Sequence, residues 1–335
     1  MTFGELLLRF SKPCHRRFTQ GEELIGNFGG SEANVAISLA TLGDEVEYVT
    51  RLPDTQIGLA ARMMLRQYGL DTSHVMMKGA RMGGYYFEAA AALRNNSVTY
   101  DRERSAFSEL RPGMIDWHEV LRGASVFHTS GIAAALSQEA ADTTLEALEV
   151  ADEMGITISF DINHRKNLWR YPGAAPREML SRLLSYADVM FGDVIEFEFL
   201  MEHPKIPFKA LTPDYEMDLR PYREWFDDIH QRFPRCRRWL MGMRNQVNAS
   251  HHLLTALMWS EGKLYHTRIY DIADMVDPMG VGDAFAAGQI HAMLAYPDDN
   301  QRILDYALAT STLKYTFEGD ACLATDDEIQ WLMRT

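Results

Sequence analysis

The alternation of short apolar stretches with longer helical patterns is the feature that most constrains the fold of this chain. Five stretches rich in β-branched and aromatic residues have the length of buried strands, at residues 46–50, 124–128, 157–161, 189–192 and 239–243. Helical periodicity lies around them, at residues 32–42, 58–68, 138–154, 177–186, 222–233, 282–294 and 305–317. This order predicts an α/β fold, in which helices cover a mostly parallel sheet.

Two segments interrupt the alternation, at residues 9–28 and 83–104. The second holds two β-like runs around a polar turn, which predicts a hairpin or small sheet set apart from the main one. We interpret the two segments as a lid. Residues 202–222 contain four prolines and show weak periodicity, so we expect a surface insertion there. The chain is therefore expected to form a single domain over residues 1–335, with the lid inside it.

The composition excludes several classes of protein. Hydrophobic residues make up 47% of the 335 residues and charged residues 24%, as in ordinary globular proteins. A net charge of -14 without a basic block argues against nucleic-acid binding. The three cysteines are too far apart for a metal or disulfide pattern, and the apolar run at residues 6–8 is too short for a signal peptide or membrane span. We expect a cytoplasmic protein without nucleic-acid or membrane partners.

The sharpest local motif is Asp277-Pro-Met-Gly-Val-Gly-Asp283-Ala-Phe, in which two glycines and an acid open a helix. Free N–H groups at a helix N-terminus bind anions, and the helix dipole strengthens that site. A carboxylate in the first turn, at Asp283, could accept a proton from a hydroxyl aimed at a bound phosphate. The alternative is a loop with Asp283 as an ordinary helix cap.

A second glycine pair, Gly29-Gly30, precedes Ser31-Glu-Ala-Asn34 and a helix. The glycines allow the backbone to approach a ligand closely, and Asn34 can both donate and accept hydrogen bonds. The alternative is a loop followed by a helix that Ser31 caps.

Together with Arg51-Leu-Pro-Asp54 and Ile57-Gly58, these two motifs resemble the N-terminal and C-terminal signatures of ribokinase-like (PfkB family) carbohydrate kinases. The resemblance covers nearly the whole chain. It implies a doubly wound α/β domain with a small β lid, and a transfer of phosphate from ATP with bound Mg²⁺. Asp283 would be the general base, and the N–H groups of Gly280, Val281 and Gly282 would form an anion hole. Lid pairing between subunits would make the protein a homo-oligomer, a dimer or larger.

Within the family, shorter strings are similar to those of the 2-keto-3-deoxygluconate kinases, which act on an acid sugar. They include Gly4-Glu5, Tyr85-Tyr86-Phe87, Tyr100-Asp-Arg102 and Asn163-His-Arg165. The sugar-binding residues that this resemblance implies are Gly29, Gly30, Ala33, Asn34, Tyr86, Tyr100, Arg102, Ile132 and Arg165. Arginine suits a carboxylate because its planar fork matches the two oxygens. For each arginine alone, a surface ion pair is the alternative.

The resemblance also implies nucleotide and metal ligands. Asn163 and Arg165 follow a predicted strand, at the edge where open α/β sheets bind ligands, and would contact ATP together with Gly280 and Gly282. Asp193 and Glu196 stand where the family has an Asn-x-x-Glu motif near the metal. Asp193 adds a negative charge there, which predicts an altered affinity for nucleotide or metal. For Glu196 the alternative is a solvated helix charge.

The sequence therefore predicts ATP-dependent phosphorylation of the terminal hydroxyl of an acid sugar, with 2-keto-3-deoxygluconate and its 6-phosphate as first choice. The galacto epimer stays open. One alternative is a related kinase for fructose, ribose or a nucleoside. Another is a sugar-binding regulator without catalytic activity, against which the intact Asp283 motif argues.

Overall fold

The computed structural model describes residues 1–204 and 206–335 of the chain. Its strands are β1 (Thr2–Phe3), β2 (Leu7–Ser11), β3 (Ile25–Gly29), β4 (Tyr48–Leu52), β5 (Val75–Met77), β6 (Gly84–Glu88), β7 (Ser97–Asp101), β8 (Val126–Ser130), β9 (Thr157–Asp161), β10 (Val189–Asp193), β11 (Arg238–Asn248), β12 (His251–Ser260), β13 (Lys263–His266) and β14 (Tyr270–Ile272). Its α-helices are α1 (Ser31–Thr41), α2 (Gln56–Gln67), α3 (Trp117–Val120), α4 (Gly131–Ala134), α5 (Gln138–Glu153), α6 (Pro176–Leu184), α7 (Val194–Met201), α8 (Arg220–Arg232), α9 (Val281–Ala295), α10 (Asn300–Lys314) and α11 (Asp326–Arg334).

A large central sheet runs through the molecule in the order β13-β12-β11-β10-β9-β8-β1-β4-β5, and β14 also pairs with β12. The strands from β11 to β5 pair in parallel, whereas β12 is antiparallel to β11, β13 and β14. In parallel strands that are covered on both faces, nearly every residue is apolar. Strands β4 and β8 show the burial directly, since all five residues of each are buried.

Helices cover both faces of the central sheet. One apolar core lies between the sheet and helices α3, α5, α6, α7 and α8. The other lies between the opposite face and helices α1, α2, α9, α10 and α11. This confirms the predicted doubly wound α/β fold with a mostly parallel sheet.

The predicted strands and helices all fall on observed elements, with ends shifted by a few residues. The sequence does not predict the antiparallel strand β12, because its apolar residues, at 253–254 and 256–259, form short runs without the alternation that distinguishes a strand from a helix. The proline-rich segment at 202–222 contains no strand in its described part, and α8 begins within it at Arg220.

The predicted lid segments form a separate four-stranded sheet in the order β3-β2-β6-β7. Strand β2 runs antiparallel to β3 and parallel to β6, and β6 is antiparallel to β7. Its inner face carries Leu7, Tyr85 and Phe87, which are buried and contact Met279. The small sheet therefore packs against the loop that precedes helix α9.

Across the described ranges, 1–204 and 206–335, no helix combines the length and the apolar character needed to cross a bilayer.

Candidate active site

The carboxyl ends of β8, β9 and β10 meet the first turns of α1 and α9 at one edge of the central sheet. Because these strands are parallel, the residues that follow them lie side by side. The lid sheet covers this edge from the side of the α9 loop. The two glycine motifs are joined here by a hydrogen bond between Asn34 and Asp283, which are 249 residues apart in sequence.

Two side chains from α1 hold the carboxylate of Asp283. The hydroxyl of Ser31 donates to its Oδ1 at 2.8 Å, and Nδ2 of Asn34 donates to its Oδ2 at 2.7 Å. Helix α1 is capped by Gly30 rather than Ser31, so the Ser31 hydroxyl is available for this contact. Asp283 is the third residue of α9. The N-cap of α9 is Gly280, so Asp283 is not the cap of this helix. The geometry thus opposes both capping alternatives.

Burial raises the pKa of Asp283, although the hydrogen bonds from Asn34 and Ser31 and the charge of Arg165 oppose that rise. The carboxylate is therefore a better proton acceptor than an exposed aspartate. It remains in contact with donors that fix its direction.

The backbone before Asp283 presents unpaired donors. Gly280 has a φ of 77°, which favours glycine and turns the chain into α9. In the described ranges, no protein acceptor bonds to the N–H groups of Gly280, Val281 or Gly282. An anion at this helix N-terminus would satisfy them.

Gly29 and Gly30 lie where side chains would not fit. A Cβ on Gly30 would be 2.2 Å from the carbonyl oxygen of Glu5, and one on Gly29 would be 2.2 Å from Oδ2 of Asp320. The backbone of α1's first turn can therefore approach its neighbours closely. Ala33 and Asn34 are buried in that turn.

The last residue of β9 and the segment after it carry an acid, an amide and a cation, which are Asp161, Asn163 and Arg165. Asn163 is buried, and its Nδ2 donates to Oγ of Ser31 at 3.0 Å and to Oδ2 of Asp161 at 3.3 Å. Asn163 and Arg165 have φ values of 34° and 40°, which are strained for residues other than glycine. The Oδ1 atom of Asn163 is buried without a hydrogen-bond partner in the described part of the chain.

Arg165 is exposed and forms no ion pair among the described residues. Desolvation lowers its pKa, but the charges of Tyr100, Glu196, Asp161 and Asp283 outweigh that effect and raise the pKa above the ordinary arginine value. None of these carboxylates is within 4.0 Å of its guanidinium among the ion pairs of residues 1–204 and 206–335. The surface ion-pair alternative therefore does not hold for Arg165, which keeps its donors free.

Arg102 is engaged differently. Its Nε donates to Oε2 of Glu5 at 2.6 Å, and both side chains are buried. The pair is internal rather than superficial, so the surface alternative is wrong here as well. Nη1 of Arg102 has no hydrogen-bond partner among the described residues, and the guanidinium lies over the ring of Tyr100 at 5.8 Å.

The structure corrects the prediction for Tyr86. Strand pairing aligns Tyr85 with Tyr100, and both point to the inner face of the lid, with their ring centroids 6.2 Å apart. Tyr86 points to the outer face, where it is 37% exposed and stacks on Phe10. Side chains alternate along a strand, and the sequence of two adjacent tyrosines does not reveal which one faces inward. The tyrosine that faces inward is Tyr85, whose hydroxyl donates to Asp320.

Ile132 lies in the short helix α4, directly after β8, and is buried. Its N–H donates to Oγ of Ser130, whose hydroxyl donates to the fully buried Glu32. Burial is the main reason that the pKa of Glu32 is raised to about 7. This acid lies in the same turn of α1 as Ser31 and Asn34, and the sequence motif gives no reason to single it out.

Asp193 and Glu196 form a capping box at the start of α7. The N–H of Glu196 donates to Oδ1 of Asp193 at 2.9 Å, and the N–H of Asp193 donates to Oε2 of Glu196 at 3.0 Å. The other oxygen of Glu196 accepts from the N–H of His164 at 3.1 Å. Burial and the charge of Asp193 raise the pKa of Glu196 to about 7. Glu196 is thus not a solvated helix charge, and in the described ranges no group of three metal-ligating side chains is present.

Comparison with known proteins decides the family. The sequence profile of the pfkB family carbohydrate kinases matches residues 1–215, which is well over half of the chain. The chain belongs to the PfkB family of carbohydrate kinases. The chain is accordingly a sugar kinase, and kinases of the PfkB family use ATP.

Two similar proteins match this chain over its whole length, including the motif at residues 277–283 that lies beyond the profile match. A 2-dehydro-3-deoxygalactonokinase of Haloferax volcanii is 30% identical over 100% of this chain and 96% of its own length. A crystal structure of a 2-dehydro-3-deoxygluconokinase from Thermotoga maritima has a TM-score of 0.89 and 31% identity, and covers 100% of this chain and 98% of the other.

A more distant structure supports the fold alone. An E. coli protein assigned as a ribokinase II, solved in complex with ATP and Mg²⁺, is 20% identical with a TM-score of 0.78. It covers 99% of this chain and 98% of that one.

Proposed function

We propose that this PfkB kinase transfers the γ-phosphoryl group of ATP to the terminal hydroxyl of a 2-keto-3-deoxy acid sugar, with 2-keto-3-deoxygluconate as first choice. The observation that carries the proposal is the geometry of Asp283. Its carboxylate is fixed by Ser31 and Asn34 and lies one residue after three N–H groups without protein partners in the described ranges. A general base and an anion site are thereby adjacent in one loop.

In the proposed reaction, the sugar hydroxyl donates its proton to Asp283 as its oxygen attacks the γ-phosphorus. The bond from phosphorus to the β-phosphate bridging oxygen breaks, and ADP leaves. The N–H groups of Gly280, Val281 and Gly282 stabilise the charge on the transferring group, which is the main contribution in this type of chemistry. A non-catalytic binder would not need an oriented, buried carboxylate at this point.

The acid end of the sugar is proposed to bind under the lid. Arg165 is free of ion pairs in the described structure and lies near Tyr100, and Arg102 retains an unpartnered Nη1 beside the same ring. Tyr85 and Tyr100 line the inner face of the lid above them. The similar proteins from H. volcanii and T. maritima are named as kinases of 2-dehydro-3-deoxy acid sugars of galacto and gluco configuration, which supports this substrate class.

At the start of α7, both oxygens of Glu196 and one oxygen of Asp193 accept backbone hydrogen bonds, so Oδ2 of Asp193 is the carboxylate oxygen there that is left for a divalent metal ion among the described residues. Mg²⁺ keeps several waters and needs one or two carboxylates besides phosphate oxygens. Oδ2 of Asp193 takes no part in the capping box and belongs to an exposed residue, so Asp193 would hold the ion, with Glu196 in support. When bound, Mg²⁺ supplies positive charge to the phosphate oxygens.

A neutral sugar is the second candidate, because Glu5 already neutralises Arg102 in a buried pair. Two Arabidopsis thaliana proteins named "Probable fructokinase" match 96% and 98% of this chain, at 25% and 26% identity. If the substrate is a neutral sugar, Arg102 would orient Glu5 towards the sugar hydroxyls rather than bind a carboxylate.

The test is an ADP-release assay with ATP and Mg²⁺ on 2-keto-3-deoxygluconate, its galacto epimer, fructose, ribose and adenosine. We expect turnover on the keto-deoxy acids alone, and the ratio of kcat/KM between the two epimers then assigns the configuration. Turnover confined to fructose, ribose or adenosine would overturn the acid-sugar proposal. Absence of turnover on the whole panel would overturn the catalytic proposal.

A further inference from the structure

A buried cluster of charges joins the lid sheet to the loop that precedes α9. Arg9, on β2, donates from Nη1 to Oδ1 of Asp320 at 2.6 Å and pairs through Nη2 with Oδ2 of Asp277 at 2.8 Å. The hydroxyl of Tyr85, on β6, donates to Oδ2 of Asp320. All four residues are more than nine-tenths buried. Neither the proposed base nor the proposed sugar contacts account for this cluster.

Both carboxylates belong to segments that shape the anion hole. Oδ1 of Asp277 accepts from the N–H of Met279 at 3.0 Å, and its Oδ2 accepts from the N–H of Gly319 at 3.3 Å. A Cβ on Gly280 would lie 1.7 Å from the carbonyl oxygen of Asp320, so these two backbones are in direct contact. The positions of Asp277 and Asp320 therefore fix the position of Gly280.

Two buried carboxylates beside an anion site would repel a phosphoryl group unless cations compensate them. Arg9 and Lys314 provide that compensation. Lys314 is fully buried on α10, and its Nζ donates to the carbonyl oxygens of Asp277 at 3.2 Å and Phe317 at 3.0 Å. Lys314 thus comes from the body of the molecule, whereas Arg9 comes from the lid. A displacement of the lid sheet would carry Arg9 with it and leave Lys314 in place.

We propose that Arg9 is a positioning residue that makes the alignment of the anion hole depend on the placement of the lid. The inference rests on the proposed phosphoryl transfer and deepens it. With Arg9 in place, the forked guanidinium spaces Asp277 and Asp320 and neutralises them, and the loop before Asp283 keeps its shape. Without Arg9 the two carboxylates repel each other and the loop shifts. Arg9 acts through Asp277 and Asp320, not by contact with the reacting groups.

The test compares Arg9→Ala and Arg9→Lys with the wild type, on whichever sugar the wild type turns over best. Arg9→Ala is expected to lower kcat about 100-fold, because small misplacements of a reacting geometry cost that much. The sugar KM should stay within about threefold, since the ground-state sugar contacts remain. Arg9→Lys should fall between, because an ammonium is a point charge that does not bridge two carboxylates.

The matched control is Arg220→Ala. Arg220 also pairs with an aspartate, Asp218, but its side chain is 87% exposed and lies in the 202–222 insertion. Its kcat should equal that of the wild type. Thermal unfolding of each variant shows whether the protein is folded.

Chemical rescue separates positioning from general structural support. Millimolar guanidinium chloride, far below denaturing concentrations, should raise the kcat of Arg9→Ala and leave that of the wild type unchanged. An Arg9→Ala kcat within about threefold of the wild type would overturn the inference, as would a loss that guanidinium does not restore and that is matched by weaker sugar binding. If Arg9→Ala does not fold, Arg9→Lys decides, and a wild-type kcat in that variant would overturn the inference.

Failure of the proposed function is distinguishable from failure of this inference. If the wild type turns over no sugar, the effect of Arg9 is measured by calorimetric titration with ATP and Mg²⁺ alone. Weaker ATP binding by Arg9→Ala, restored by guanidinium, would support the positioning role, and equal binding would overturn it.

Discussion

At the scale of single residues, the site is a chain of hydrogen bonds that joins strand β9 to helix α9. Asn163 donates to Ser31, Ser31 donates to Asp283, and Asn34 donates to the other Asp283 oxygen. Ser31 and Asn34 lie in the first turn of α1, and Asn163 lies just after the end of β9, so each of these donors is held by a regular element. The carboxylate is therefore held by neutral donors, which keeps it available for a proton.

Replacement of Asp283 by Asn tests the assigned base. We expect kcat to fall by about 10²–10⁴-fold, the usual contribution of a general base. An amide at this position can donate to Ser31 and accept from Asn34, so thermal stability should not fall. Sugar binding, measured calorimetrically, should also persist. Near-normal turnover of Asp283→Asn would show that another group accepts the proton.

Glu32 predicts an unusual dependence of stability on pH. Its folded-state pKa of about 7 lies above the ordinary value of 4.5, mainly because of burial. Between those values the folded chain retains a proton that the unfolded chain has lost, so the stability contributed by Glu32 is full below pH 4.5 and is lost as the pH rises towards 7. Glu32→Gln, which mimics the protonated acid, should be more stable than the wild type at about pH 8, with the difference vanishing near pH 4.5. Melting curves at the two pH values check this, and an equal difference at both would contradict it.

Some residues of the site can be predicted from the local sequence, and others cannot. Asp283, Gly280 and Asn34 could be predicted because each motif fixes its own local geometry. The pairing of Arg102 with Glu5 joins residues 97 apart, and that of Arg9 with Asp320 joins residues 311 apart. Such pairs are set by packing of the lid on the body, and no local spacing indicates them.

At the scale of elements, the start of α9 combines a left-handed turn with a close backbone contact. Gly280 has a φ of 77° and touches Asp320. Gly262, in the turn between β12 and β13, has a φ of 75°, and no atom lies within 4 Å of the position that an alanine Cβ would occupy there. The two glycines share the backbone requirement and differ only in the contact.

Gly280→Ala and Gly262→Ala therefore form a matched pair. Gly262→Ala should cost about 1–2 kcal/mol, the strain of a side chain in the left-handed region, and leave kcat unchanged. Gly280→Ala should cost more and reduce kcat, because the loop must move away from Asp320. Denaturant unfolding and ADP release measure both effects. Equal losses of stability and activity in the two variants would show that the contact has no role.

The outer face of the lid sheet carries a group of aromatic side chains. Tyr86 stacks on Phe10 and contacts the edge of Phe18 on a face that the body of the molecule does not cover. Only the inner face, with Tyr85 and Phe87, is buried. We propose that a second copy of this chain covers the outer face, as the family resemblance implies.

A charge on that face should then separate the subunits. Tyr86→Asp is expected to give a particle of 38.2 kDa by light scattering, the mass of one chain, and the wild type a multiple of it. Tyr68→Asp is the control, since that exposed tyrosine lies at the end of α2, outside the lid. A wild type that already has the mass of one chain would contradict the proposal.

At the scale of the whole molecule, the order of elements is predictable and the faces of the lid are not. The alternation of strands and helices follows from burial of both sheet faces, which imposes apolar runs at regular intervals. Side chains alternate between the two faces of the lid strands, but the sequence does not show which of them face inward. The sequence therefore indicates Tyr86, whereas Tyr85 is the tyrosine that faces inward. The proposed substrate class rests on the charges of Arg102, Arg165 and Glu5, and the pairing of Arg102 with Glu5 is visible only in the folded chain.

The central claim is the transfer of a phosphoryl group to the terminal hydroxyl of an acid sugar at Asp283. It is tested most directly by phosphorus NMR of a reaction of the wild type with ATP, Mg²⁺ and 2-keto-3-deoxygluconate. We predict one new phosphomonoester signal, split by the methylene protons at C6, that grows as ADP forms and does not appear with Asp283→Asn. Release of inorganic phosphate alone, or an ester at any other carbon, would contradict the account.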